Sequence, residues 1–127
     1  MKNLMIEATK SSPSINFDAD SCNLSIEGAS YPENTSNFFI DVVDWVSDLL
    51  AETDNKITLN IKLSYFNTST SKALLDIIDM MEEKHKNGGN VELNWYFRED
   101  HENIQESGEE FAEDITFPFN LISYKKE

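Results

Sequence analysis

The chain has 127 residues, and 24 Asp and Glu against 10 Lys and Arg give it a formal net charge of −14 at pH 7. A field of that sign works against binding nucleic acid or inserting into anionic membranes, since both depend on neutralising phosphate; it favours basic protein partners instead. Hydrophobic residues make up 39% of the chain, enough for one globular domain over residues 1–127 with a core of its own.

The opening segment MKNLMIEATK lacks the sustained apolar run of a leader peptide; within it Asn3–Ala8 predicts a first strand. Pro13–Asp20 alternates Ile15 and Phe17, and Cys22–Gly28 alternates Cys22, Leu24 and Ile26, so a hairpin is expected across the short Ala-Asp-Ser connection. Cys22 is the only cysteine, which rules out an intrachain disulfide and fits a reducing, cytoplasmic setting. A loop with Pro32 follows. From Ser36 to Glu52, Phe38, Phe39, Val42, Val43, Trp45, Val46, Leu49 and Leu50 recur at helical spacing, with Asn34, Thr35 or Ser36 available as the cap. No window approaches the roughly 20 apolar residues of a membrane span.

Ile57, Leu59, Ile61 and Leu63 then alternate with Thr58, Asn60, Lys62 and Ser64, a strand with one buried face. Beyond Asn67–Ser71, the stripe Leu74, Leu75, Ile78, Met81 and His85, broadened by Ile77, predicts a second helix that ends at the Asn-Gly-Gly-Asn of residues 87–90. Val91–Phe97 is the next strand. Residues 101–114 predict a short helix, weakened by Gly108 by about 1 kcal/mol against alanine. Residues 115–125 predict a final strand whose Pro118 demands an edge or a bulge. The order β-β-β-α-β-α-β-α-β implies an α/β domain: a mixed sheet with about three helices mainly on one face, and parallel strands across each helix.

Residues 67–71, Asn-Thr-Ser-Thr-Ser, hold four consecutive hydroxyls. They fall between the carboxyl end of a central strand and the amino end of a helix, the edge where α/β sheets place their sites. The unpaired N–H groups and partial positive charge of a helix start favour phosphate. The segment lacks the glycines of a P-loop, and Lys72 is its one nearby cation. Two readings stay open: one hydroxyl caps the helix and the others face solvent, or one of them carries a covalent phosphate.

The segments YPEN, FFIDVVDWV, YFNTSTSKALLDIID, NGGNVELNWYF, EEFAED and FPFNLI, in that order between Ile15 and Ile122, resemble the SiaC family of bacterial regulatory phosphoproteins, whose fold is similar to the STAS domains of anti-sigma-factor antagonists. The resemblance implies a non-enzymatic STAS-like protein of a partner switch. A protein kinase phosphorylates a threonine in the Asn-Thr-Ser segment, a PP2C-type phosphatase removes the phosphate, and the unphosphorylated form binds and activates an effector such as a diguanylate cyclase. Carried onto this chain, the acceptor is Thr68, with Asn67, Ser69, Thr70, Ser71 and Lys72 as the neighbouring switch surface. Anti-sigma-factor antagonists carry Asp-Ser-Ser/Thr-Gly here. Asn67 and Thr68 replace the first two residues and no glycine follows, which counts against a sigma-factor output; the alternative is an acidic protein-binding module or an anti-sigma-factor antagonist without this cyclase output.

Other residues carry weaker signals. Tyr31, Pro32, Glu33 and Asn34 form a loop that either packs over a helix start or contributes a partner contact. Glu82-x-x-His85 has the spacing of di-iron bundles, but no second copy occurs, so no metal is expected and His85 reads as the edge of the core. Asp18 and Asp20 read as turn chemistry rather than a calcium loop. His101 has no nucleophile pattern beside it. No motif for catalysis or a cofactor stands out. Trp45 and Trp95 read as core or semi-buried residues rather than ligand platforms. Arg98–Asp114 holds eight acids, either a solvated helix face or a docking surface.

Overall fold

The computed structural model describes residues 1–33 and 35–125, residues 35 and 36 by their backbone. In chain order the elements are β1 (Leu4–Ile6), β2 (Ser14–Asp18), β3 (Asn23–Ser30), α1 (Thr35–Glu52), β4 (Ile57–Phe66), α2 (Thr68–Lys86), β5 (Val91–Arg98), α3 (Glu102–Ala112) and β6 (Phe119–Tyr124). They form one six-stranded sheet in the order β1-β2-β3-β4-β5-β6. β1, β2 and β3 pair antiparallel, and β3 to β6 run parallel. The predicted order, the hairpin and the parallel crossovers are all present.

Register explains the single core. Ile26, Ile61 and Trp95 stand side by side across three parallel strands, as do Leu24, Leu59 and Leu93. Strand side chains alternate faces, so these rows make one face wholly apolar. Phe39, Val42, Val46 and Leu49 of α1 and Leu74, Ile77, Ile78 and Met81 of α2 are buried against it. The opposite face is polar and open. There Asn60 donates to Asn23 (2.8 Å), Asn94 to Asn60 (2.9 Å) and Asn120 to Asn94 (3.0 Å), a side-chain ladder that reaches from β3 to β6.

Ends of elements have identifiable causes. Asp18 Oδ1 accepts from the N–H groups of Asp20 and Ser21, the expected turn chemistry of the hairpin. Cys22 leaves that turn at φ +58° and is buried. Lys84 of α2 donates to the carbonyls of Leu50 (2.7 Å) and Thr53 (3.0 Å), closing the carboxyl end of α1. Pro118 lies just outside β6, which is an edge strand.

Gly108 reverses its sequence reading. It is buried, and a Cβ there would lie 2.5 Å from Trp95 Cδ1 and 2.7 Å from Leu121 Cδ2. The glycine lets α3 approach the sheet closely enough for Trp95 Nε1 to donate to the Ile104 carbonyl at 2.9 Å. Gly108→Ala should therefore destabilise the fold by about 1–3 kcal/mol, as overpacking does, instead of gaining the helix propensity of alanine. Urea denaturation of the variant checks this; an unchanged or higher midpoint would show that α3 docks more loosely.

Candidate functional site

The carboxyl ends of β3, β4 and β5 share one edge of the sheet, because the three strands are parallel. At that edge β4 bulges. Pairing with β3 runs Gly28 to Leu63 and then Ala29 to Tyr65, which leaves Ser64 as an extra residue. The bulge shifts the alternation of faces. Phe66 turns inward, edge-on to Trp95 at 5.8 Å. Tyr65 turns outward, 55% exposed, and meets the ring of Tyr31 edge-on at 5.8 Å. Tyr31 is itself 39% exposed, and its N–H donates to the carbonyl of Ser11. Pro32 is half-buried and Glu33 exposed; Asn34 lies outside the described residues.

The chain then passes directly into α2, so the hydroxyl segment is the helix's first turn and not a loop. Asn67 is the N-cap, at φ −90° and ψ 175°. Its Oδ1 accepts from the N–H of Thr70 at 2.9 Å, the bond that favours asparagine at this position. Its own N–H donates to the Ser30 carbonyl at 3.0 Å.

The four hydroxyls divide their work. Thr70 is fully buried. Its hydroxyl donates to the Ser30 carbonyl at 3.2 Å and lies 2.8 Å from Ser30 Oγ. A hydroxyl has one proton, so Ser30 Oγ is the donor in the second bond. Ser69 and Lys72 line a groove between α1 and α2, and Ser71 lines one between α2 and α3. Thr68 is exposed at the first helical position, and its hydroxyl makes no hydrogen bond to a described residue. The first turn of α2 contains no acid, while Lys84, His85 and Lys86 occupy its last turn, so the positive end of the helix dipole is left uncompensated.

The remaining candidates have other roles. Glu82 is buried, and its carboxylate accepts from the N–H and the hydroxyl of Thr116, each at 2.8 Å. The Thr116 N–H holds the Glu82 carboxyl below its ordinary range, against burial that pushes it up. His85 packs edge-on against Phe117 at 6.3 Å. Both residues thus secure the segment leading into β6. Arg98 grips Asp100 with two nitrogens at 2.6 and 2.8 Å, which holds the Asp100 carboxyl down at about 2. His101 caps α3 without a side-chain bond. Beside it, Ser64, Tyr65 and residues 100–104 enclose an open depression of about 420 Å³. Trp95 is buried, whereas Trp45 is half-buried and donates to the Lys2 carbonyl. Tyr65 was missed by alternation alone, since its exposure depends on the bulge.

Two measurements test this division. Thr70→Val should destabilise the protein by about 1–3 kcal/mol, because it strands buried Ser30 groups, whereas Thr68→Ala should stay within about 0.5 kcal/mol of wild type. Equal urea midpoints for the two would remove the distinction. For Glu82, a folded-state pKa below the ordinary 4.5 means that the unfolded chain binds more protons between the two values. Its contribution is complete above 4.5 and is lost as pH falls through the lower folded value. Glu82→Gln should flatten the acid limb of stability against pH; an unaltered limb would assign it to other carboxylates.

Comparison with known proteins places this geometry. Residues 6–124 match the family model described as SiaC family regulatory phosphoprotein. An uncharacterised protein of Pseudomonas aeruginosa (strain UCBPP-PA14) is 43% identical over 124 residues, covering 98% of each chain. The crystal structure of apo-SiaC from Pseudomonas aeruginosa superposes with a TM-score of 0.90 at 43% identity, over 96% of this chain and 99% of that one. SiaC in the crystal structure of the diguanylate cyclase SiaD with its activator superposes with a TM-score of 0.92 at 41% identity, over 95% of this chain and 99% of that one. The chain belongs to the SiaC family of regulatory phosphoproteins.

Proposed function

We propose that this protein is a phosphorylation-controlled activator: in its unphosphorylated form it binds and activates an effector, a diguanylate cyclase of the SiaD kind. A protein kinase modifies Thr68 and a PP2C-type phosphatase restores it. The observation that carries this reading is the exposed Thr68 hydroxyl at the first position of α2, bonded to none of the described residues and mounted on a helix start that the Asn67 cap and the buried Thr70 hold in place. The relative at 41% identity, described as the activator of a diguanylate cyclase, supports the choice of effector.

The chemistry of the switch follows from charge. A phosphate on Thr68 adds about −1.5 to −2 charges to a chain already at −14, a small global change. Locally it is decisive. A partner that covers a neutral hydroxyl would have to cover a dianion, and desolvating an unpaired charge costs several kcal/mol. A difference of about 4 kcal/mol corresponds to roughly a thousandfold in affinity. Tyr31 and Tyr65, exposed together beside the helix tip, supply rigid aromatic contact area for that partner, and half-buried Pro32 and exposed Glu33 follow Tyr31 directly.

Intact and tandem mass spectrometry on protein from its native cell, with and without the phosphatase, should find one phosphate, on Thr68, that accumulates when the phosphatase is absent. Thr68→Ala should bind and activate the cyclase as wild type does, and Thr68→Asp should bind at least about tenfold more weakly. Equal binding by both variants would sink the proposal.

A further inference from the structure

β6 ends the sheet on one side with an open edge. Its bonding directions follow from its pairing with β5. The carbonyls of Pro118 and Tyr124 accept from the N–H groups of Leu93 and Glu99, so the even-numbered residues turn their backbone groups towards β5. Phe119, Leu121 and Ser123 turn theirs the other way, and no described strand lies beyond them. Proteins ordinarily guard such an edge with charge, proline, a bulge or a very short strand. The opposite edge, β1, is short, with Lys2 and Glu7 close by. β6 is longer and lacks those guards. Ile115–Tyr124 is the longest uncharged run of the chain, and Leu121 is 40% exposed. Pro118 precedes the strand and aims its carbonyl at β5, so it leaves the outer edge clear.

We infer that β6 pairs with β6 of a second copy of this chain, antiparallel and centred on Leu121, which joins the two sheets into one. The symmetry selects this register. A two-fold axis between antiparallel strands returns each side chain to its own face of the sheet, so the axis must pass beside a residue and not between two. With Leu121 at the centre, it exchanges both backbone bonds with Leu121 of the second copy, and Phe119 and Ser123 exchange theirs with each other across the axis. Every outward N–H and carbonyl of the strand is then used. Centring on Ile122 would instead pair Phe119 with Lys125, beyond the end of β6. The Leu121 register also gives each exposed Leu121 its counterpart as a neighbour on the core face and sets Asn120 opposite Ile122 on the open face. Charge permits the pairing. Each chain carries −14, but screening confines that repulsion to about 8 Å at physiological salt, and the paired segment is neutral. It begins after Asp114 and is followed by Lys125, so antiparallel pairing sets the basic end of one strand towards the acidic start of the other. β6 lies two strands from β4, roughly 10 Å at the usual strand spacing, so a second copy there leaves the Thr68 edge uncovered.

Sedimentation velocity and amide hydrogen exchange by NMR, on the full chain over a rising concentration series, test this. A dimer should form, and exchange at Phe119, Leu121 and Ser123 should slow with concentration, while Asn120 and Ile122, bonded to β5, stay protected throughout. Leu121→Lys should weaken the dimer at least about tenfold, since like charges directly opposite one another destabilise a strand pair. Leu121 also lies close to Gly108, so Ser123→Pro is the second variant. Ser123 is exposed, and proline there removes one outward donor without touching the ladder to β5; it should weaken the dimer too. Met5→Lys, at a 62% exposed position on β1, should dimerise as wild type. Thermal denaturation of each variant reports folding. A wild-type chain that stays monomeric at every concentration, or a dimer that survives both β6 variants, would overturn the inference. Protection of the three outward amides gained only when SiaD of Pseudomonas aeruginosa is added would assign the edge to a strand of the effector and overturn it as well. The phosphoswitch is tested separately, since none of these readouts depends on Thr68.

Discussion

The edge of the sheet that carries the proposed switch depends on one buried knot of hydrogen bonds at Ser30. Its carbonyl accepts from the N–H of Asn67 and from the hydroxyl of Thr70, and its own hydroxyl donates to Thr70. Both lone pairs of the carbonyl and both hydroxyls are therefore used, in a site from which water is excluded. Each bond is worth only about 1 kcal/mol net, but breaking one leaves its partner buried and unsatisfied. The knot ties the last residue of β3 to the first turn of α2, two segments 40 residues apart. Tyr31 follows Ser30 directly and Thr68 follows Asn67 directly, so the knot sets their relative position. A surface assembled from two loops thereby acquires the rigidity of the sheet.

Around that knot, helix geometry distributes the hydroxyls. Successive residues of a helix point about 100° apart, so four in a row cannot share an environment. One must face the core, and it is Thr70; its β-branched methyl packs while its oxygen is bonded. Thr68 and Ser69 look outward, and Ser71 faces the α3 side. Residue type alone makes the four nearly equivalent. Position in the turn separates an anchor from an available nucleophile, and it was the family resemblance, not periodicity, that singled out Thr68.

The same contrast runs through the molecule. Local pattern was legible. Ile57, Leu59, Ile61 and Leu63 announced their strand, the stripe of α1 announced its helix, and the β-α-β order announced parallel pairing. What stayed hidden lies in contacts between distant segments. Ser64 continues a perfect alternation, and only its pairing with β3 reveals it as a bulge. Gly108 looks like a defect in a weak helix until Trp95 is seen against it. Glu82 looks like half of a metal motif and is the acceptor for Thr116, 34 residues away. Asn60, Asn94 and Asn120 each sit on the polar side of an alternating strand, but their ladder requires the register. Periodicity reports which face of an element is buried; it carries no record of what meets that face.

Charge placement fits the proposed switch, which would act on an interface and spare the fold. In a chain with 24 acids, the amino end of α2 carries none in its first turn, so no carboxylate of that turn offsets the local field of the helix. A phosphate on Thr68 would meet that field and would lie one turn from Lys72, the i, i+4 spacing at which opposite charges pair. Both interactions favour the dianion in the free protein by a few tenths to about 1 kcal/mol each. Neither is strong enough to rescue it under a partner, where lost hydration costs several times more. Thr70, about half a turn further along and sealed from solvent, could not take a phosphate without breaking the Ser30 knot. On the proposed reading, a phosphate on Thr68 would alter what can dock on the helix tip while the bonds that hold the tip in place remain as they were.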